Sequence, residues 1–157
     1  MAITQKITQM LWFDTNAEEA ARFYVSVFKN SRILSVTHYS ANMHLPEGTV
    51  MTVAFELEGQ QFTALNGGPH AKFNEAISMV VTCKDQAEVD SYWQKLTADG
   101  GAEVQCGWLK DKFGLSWQVV PAELWPLIEG PRSAEVMQAV MRMVKLDIAE
   151  LKAAAGR

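Results

Sequence analysis

The chain is poor in the features that would tie it to a nucleic acid, a membrane or a disulfide framework. Its 157 residues hold 14 Lys and Arg against 18 Asp and Glu, a formal net charge of −4, and the basic residues do not cluster. That balance argues against a nucleic-acid surface. No apolar run is long enough to span a bilayer. The opening MAITQKITQ has no basic stretch followed by a hydrophobic one, so no signal peptide is expected and a cytoplasmic location is. Only two cysteines occur, Cys83 and Cys106. They form no CxxC and sit in apolar surroundings, which reads as reduced core thiols; a disulfide between them stays open. No Ser/His/Asp or Cys/His constellation is legible, so no catalytic residue is assigned.

Histidine is scarce too: His38, His44 and His70. His38 and His44 stand across a strand end and a loop, at a spacing unusual for metal ligands. A surface or loop histidine is the simple reading of each. His70, behind Gly67-Gly68-Pro69, is the functional candidate of the three.

What the chain does have is an apolar content of 48% with 20% charged residues, enough for one globular domain with a real core. Ile7 to Phe13 reads as a buried strand. Asn16 is the expected cap of a helix whose face is Ala20, Phe23, Tyr24, Val27 and Phe28, with Glu18 and Glu19 in its first turn. Three strands follow, at Ile33 to Tyr39, Val50 to Leu57 and Gln61 to Leu65. The pattern then restarts. Ile77 to Thr82 is a strand, Asp85 a helix cap, and Val89, Tyr92, Trp93 and Leu96 an apolar helix face. Strands at Ala102 to Leu109 and Phe113 to Val120 complete the second set, joined by Lys110-Asp111, which reads as a solvated turn. Ser133 opens a last helix running to about Leu151, with Met137, Val140, Val144, Ile148 and Leu151 at helical spacing, and the Ala-rich tail is expected to fray.

The halves superpose by type: Asn16 on Asp85, Glu19 on Glu88, Phe23-Tyr24 on Tyr92-Trp93, and Val27 on Leu96. This is the mark of an internal duplication of a βαβββ unit.

Two such units resemble the vicinal oxygen chelate superfamily of glyoxalase I, extradiol dioxygenases and bleomycin-resistance proteins. Trp12-Phe13-Asp14, Asn16 to Ala20, Phe62 to Pro69, Phe73 to Ser78 and Cys106 to Pro121 make it similar to the PhnB-like branch in particular, whose members often carry the label 3-demethylubiquinone-9 3-methyltransferase. The resemblance implies an α+β fold in which two βαβββ units form an open glyoxalase-like barrel, followed by a C-terminal helix. The expected layout is a single domain over 1–157, with unit one at about 5–68, unit two at about 75–121 and the helix at about 133–152.

In the superfamily's enzymes, metal ligands come from the first and last strand of each unit. Carried over by register, these positions are Gln9 and Ser78 on the first strands and Gln118 on the last strand of unit two. In unit one the last-strand position falls near Phe62 or Ala64. Amides and a hydroxyl are poor ligands for a catalytic transition metal. The expectation is therefore no metal and no other cofactor, with a divalent metal as the alternative. Gln9 and Gln118 would face one cavity and orient a ligand by hydrogen bonds. Trp12 and Trp117, core residues on the simple reading, are the better candidates for an aromatic wall. Asn66, His70 and Ser78 complete the expected ligand-binding set.

The Gly67-Gly68-Pro69 run fits an S-adenosylmethionine loop poorly, because no helix follows it closely. The expected function is binding of a small aromatic or polar organic ligand, without required catalysis. A metal-dependent lyase, isomerase or dioxygenase is the alternative, and a 3-demethylubiquinone methyltransferase stands behind both. A homodimer is the expected assembly.

Overall fold

A computed structural model describes residues 4–157. The chain divides into two compact units, one ending at Phe73 and one beginning at Asn74. Each follows the same order of strand, helix and three strands, so the α+β expectation and the duplication hold.

Unit one contains β1 (Gln9–Phe13), α1 (Ala17–Val27), β2 (Ser31–His38), β3 (Val50–Leu57) and β4 (Gln60–Asn66). Its sheet runs β1-β4-β3-β2, with β1 parallel to β4 and the other pairs antiparallel. β3 and β4 meet at Glu58 and Gly59, both left-handed, in the two-residue turn that suits strand twist. Helix α1 buries Ala20, Tyr24 and Val27 on this sheet. The Tyr24 ring stacks 6.2 Å from Phe55, which stacks 5.4 Å from Phe62. Strand alternation then puts Leu11, Phe13, Val53, Phe55 and Ala64 on the helix side. Met10, Trp12, Thr52, Ala54 and Thr63 lie on the open side.

The expected cap of α1 differs. Asn16 makes no side-chain cap bond. Asn66, at the end of β4, accepts from the Ala17 amide at 2.8 Å instead. A strand end thus fixes the helix start, a tertiary substitute for a local cap.

Unit two contains β5 (Met79–Cys83), α2 (Gln86–Thr97), β6 (Ala102–Glu103), β7 (Trp108–Lys110), β8 (Ser116–Pro121), α3 (Leu124–Ile128), α4 (Ser133–Arg142) and α5 (Ile148–Ala154). Its sheet order, β5-β8-β7-β6, repeats that of unit one. Asp85 does cap α2, accepting from the Glu88 amide at 2.8 Å, and Glu88 reaches back to the Lys84 amide at 2.7 Å.

Three expectations are corrected here. Lys110-Asp111 is no solvated turn, since Asp111 is 3% exposed. Its Oδ1 accepts from the amides of Phe113 and Leu115 and its Oδ2 from the Trp117 indole, so the carboxylate organises the hairpin from inside. The strand expected over Ala102 to Leu109 is broken, because Cys106 and Gly107 are both left-handed and form a turn closed by the Trp108 amide on the Gln105 carbonyl at 3.1 Å. Cys106 is accordingly half-buried, not a core thiol, and both cysteines are free.

The last helix is also two helices. Met143 is extended, and the carbonyls of Met143 and Val144 accept from the amides of Cys106 and Gly107, each at 2.8 Å. The chain leaves the helix to dock on that turn. Asp147 then caps α5 through the Glu150 amide, and Gln86 holds Leu146 and Ile148 by their backbone. Val120, Leu124, Leu127, Val136, Val140, Leu146 and Leu151 form one core beneath these helices.

Candidate functional site

The paired strands β1–β4 and β5–β8 decide which residues face the open side of each sheet. In unit two, Cα partners are Met79 with Trp117, Val80 with Gln118 and Val81 with Val119. Val119 and Cys83 are fully buried on the α2 side, so Met79, Val81 and Trp117 share that side by alternation. Gln118, Val80, Ser78, Trp108 and Ser116 point the other way.

This places the expected site residues as follows. Gln118 and Ser78 come together, the Gln118 Nε2 donating to Ser78 Oγ at 2.9 Å. Trp117 is 3% exposed, lies on the helix side and donates to Asp111, so it is core. Trp108, the cross-strand partner of Gln118, is the indole beside it. Counting alternate residues back from Gln118 across the hairpin was the signal that could have found it.

Gln9 is exposed and bonds Gln60 at 3.3 Å. It alternates with Leu11 and Phe13, on the helix side at the end of the sheet, so it does not share the open face with Trp12. Trp12 does lie on the open face, and its Nε1 donates to the Gly68 carbonyl at 2.9 Å. Asn66 is buried and spent on structure: Oδ1 on Ala17, Nδ2 on the Val50 carbonyl at 3.0 Å, and its own carbonyl accepting from Tyr39.

The register between units also shifts. Phe13 and Cys83 end their first strands alike, each giving its carbonyl to the residue just beyond the last strand, Gly67 and Ala122. The turn that follows has three residues in unit one, Asp14-Thr15-Asn16, and two in unit two, Lys84-Asp85. The strand counterpart of Ser78 is therefore Thr8, not Gln9, and Ile7 then matches Ile77. By the same pairing Gln118 matches Thr63.

The open-face positions at these registers hold Thr8, Thr63, Ser78 and Gln118. Hydroxyls and one amide do not fit a catalytic zinc, nickel or iron site. Among the described residues no group of three or more His, Cys, Asp and Glu side chains could hold a metal.

Elsewhere in unit one, a cleft of about 390 Å³ is lined by Thr15, Glu18, Leu45, Pro46, Thr49, Val50 and Asn66. Its carboxylate, Glu18, is paired with Arg22 at 2.8 Å. His70 is exposed, and the structure brings it to His44, with ring centroids 5.8 Å apart. Their separation in sequence hid this pair. Among charged groups, Glu75 is held below the usual carboxylate range by a hydrogen bond from Lys110. Burial pushes the Cys83 thiol up to about 12, helped by the charges of Glu88 and Asp85. Asp90 is lowered by Lys145 and Gln86.

Residues 5–120 match the family described as 3-demethylubiquinone-9 3-methyltransferase. The PhnB protein from Bacillus cereus is 38% identical over 75% of this chain and all of its own, with a TM-score of 0.69. The PA1353 protein from Pseudomonas aeruginosa is 16% identical over 75% of this chain and 98% of its own, with a TM-score of 0.62, a likeness of fold. A glyoxalase/bleomycin resistance protein from Albidiferax ferrireducens T118 is 12% identical, covering 74% of this chain and 98% of its own, at a TM-score of 0.49. Among curated proteins none matches. With its paired βαβββ units, the chain belongs to the 3-demethylubiquinone-9 3-methyltransferase domain family, in its PhnB-like branch.

Proposed function

We propose that this protein binds a small aromatic or polar organic ligand on the open face of the unit-two sheet, and that binding needs no metal. The observation that carries the reading is the state of Gln118. Its amide nitrogen is committed to Ser78, which leaves the Oε1 lone pairs for a ligand donor. The half-buried Trp108 indole beside it supplies a stacking surface. Ser116, two residues before Gln118 on the same strand, has a buried hydroxyl with no hydrogen-bond partner among the described residues, and such groups call for bound water.

The donor set favours binding over a metal-dependent lyase, isomerase or dioxygenase. Against a methyltransferase stands the Gly67-Gly68 run: the Trp12 indole packs under Gly67, and the next helix after the run begins only at Gln86. We also propose a homodimer in the cytoplasm, its contact the exposed side of α4.

The test is thermal unfolding of the protein in EDTA against a panel of phenols, quinones and polar aromatics. A saturable rise in midpoint, lost in Gln118→Ala, is expected. A rise that requires added metal, or one that Gln118→Ala leaves intact, overturns the reading. Saturable S-adenosylmethionine binding would do so as well.

A further inference from the structure

Histidines 44 and 70 come from separate segments of unit one, the loop between β2 and β3 and the exit from β4. Both are exposed, yet they meet over the same two glycines. His44 Nε2 lies 3.1 Å from the Gly67 carbonyl oxygen. The space where a side chain on Gly68 would begin is 3.2 Å from His44 Nε2 and 3.8 Å from His70 Nε2, so both nitrogens border one small opening. Gly68 has a left-handed φ of +89°, which disfavours any residue that would fill it. The floor is braced, because the Trp12 indole would collide with any side chain on Gly67 and donates to the Gly68 carbonyl.

We propose that His44, His70 and the Gly67 carbonyl bind a late first-row divalent cation, of the zinc or nickel kind. Two neutral imidazoles are the usual nitrogen ligands of such ions. With bonds of about 2.1 Å, neighbouring ligand atoms stand roughly 3.0 Å apart in an octahedron and 3.4 Å in a tetrahedron. The 3.1 Å between His44 Nε2 and the Gly67 oxygen falls in that range. The rings need only close slightly from 5.8 Å, and both residues are exposed. Water completes the coordination. The competing explanation is that His44 donates a plain hydrogen bond to Gly67 and His70 is a bystander.

A bound ion would tie the β2–β3 loop to the end of β4. Leu45 and Pro46, next in the chain after His44, form a wall of the unit-one cleft. The ion would fix that wall. The site lies within unit one and shares no residue with the proposed ligand face, so each proposal stands or fails alone.

The experiment is calorimetric titration of the untagged full-length protein with zinc chloride and with nickel chloride, repeated for His70→Gln, His44→Gln and His38→Gln. Unfolding midpoints in EDTA check that each variant folds. One equivalent is expected to bind, weakened at least about tenfold by His70→Gln and by His44→Gln and unchanged by His38→Gln. His70→Gln decides the matter, because His70 makes no hydrogen bond or ion pair among the described residues. No uptake, or uptake that His70→Gln leaves intact, overturns the site.

Discussion

The Trp117 indole donates to the Asp111 carboxylate at 2.8 Å, and both side chains are almost wholly inside unit two. One reads from sequence as an aromatic wall and the other as a surface turn, yet together they hold the β7–β8 hairpin. Removing the carboxylate orphans one buried amide, one part-buried amide and a buried indole. Asp111→Ala is expected to cost about 3 kcal/mol or more in urea unfolding. A loss under about 1 kcal/mol, as for an exposed turn residue, would contradict the assignment.

Asn66 caps α1 from another strand while Asn16 does not. Asn66→Ala should therefore cost about 2 kcal/mol, and Asn16→Ala no more than about 0.5 kcal/mol. Equal losses in the two variants would return the cap to Asn16.

The buried Cys83 thiol, pushed up to about 12 from an ordinary 9.0, resists deprotonation in the folded chain. A raised folded-state value means its contribution is intact below pH 9 and is lost as pH climbs toward 12, where the unfolded thiol ionises first. Wild type should thus lose more stability than Cys83→Ala between these limits. A thiol reagent at pH 8 should label only the half-buried Cys106 until denaturant is added. Rapid labelling of both in the native state would exclude a buried Cys83.

Helix α4 leaves Met137 and Met141 exposed, at 41% and 64%, with Val144 at 40% beyond its end. Light scattering is expected to give a dimer that Met141→Glu converts to monomer. A wild-type monomer at high concentration would remove this surface from the argument.

How much of this was legible follows from which features are local. Element types, the order of the two units and the Asp85 cap come from hydrophobic periodicity and from polar groups a few residues apart, and these lie in the sequence itself. The sheet face a residue occupies depends on pairing register, and one residue reverses it. A turn shorter by one residue in unit two moved the counterpart of Ser78 from Gln9 to Thr8. The break at Met143 arose because two backbone carbonyls found partners on the Cys106–Gly107 turn.

The duplicated βαβββ pattern, the family and a metal-poor choice of amides and hydroxyls are written in the order of the residues. That Trp108 and not Trp117 stands beside Gln118, that Asn66 is spent on a helix end, and that His44 meets His70 emerged with the fold. Those contacts join residues distant in the chain, and their energies come from burial and hydrogen bonding that exist only once the strands have paired.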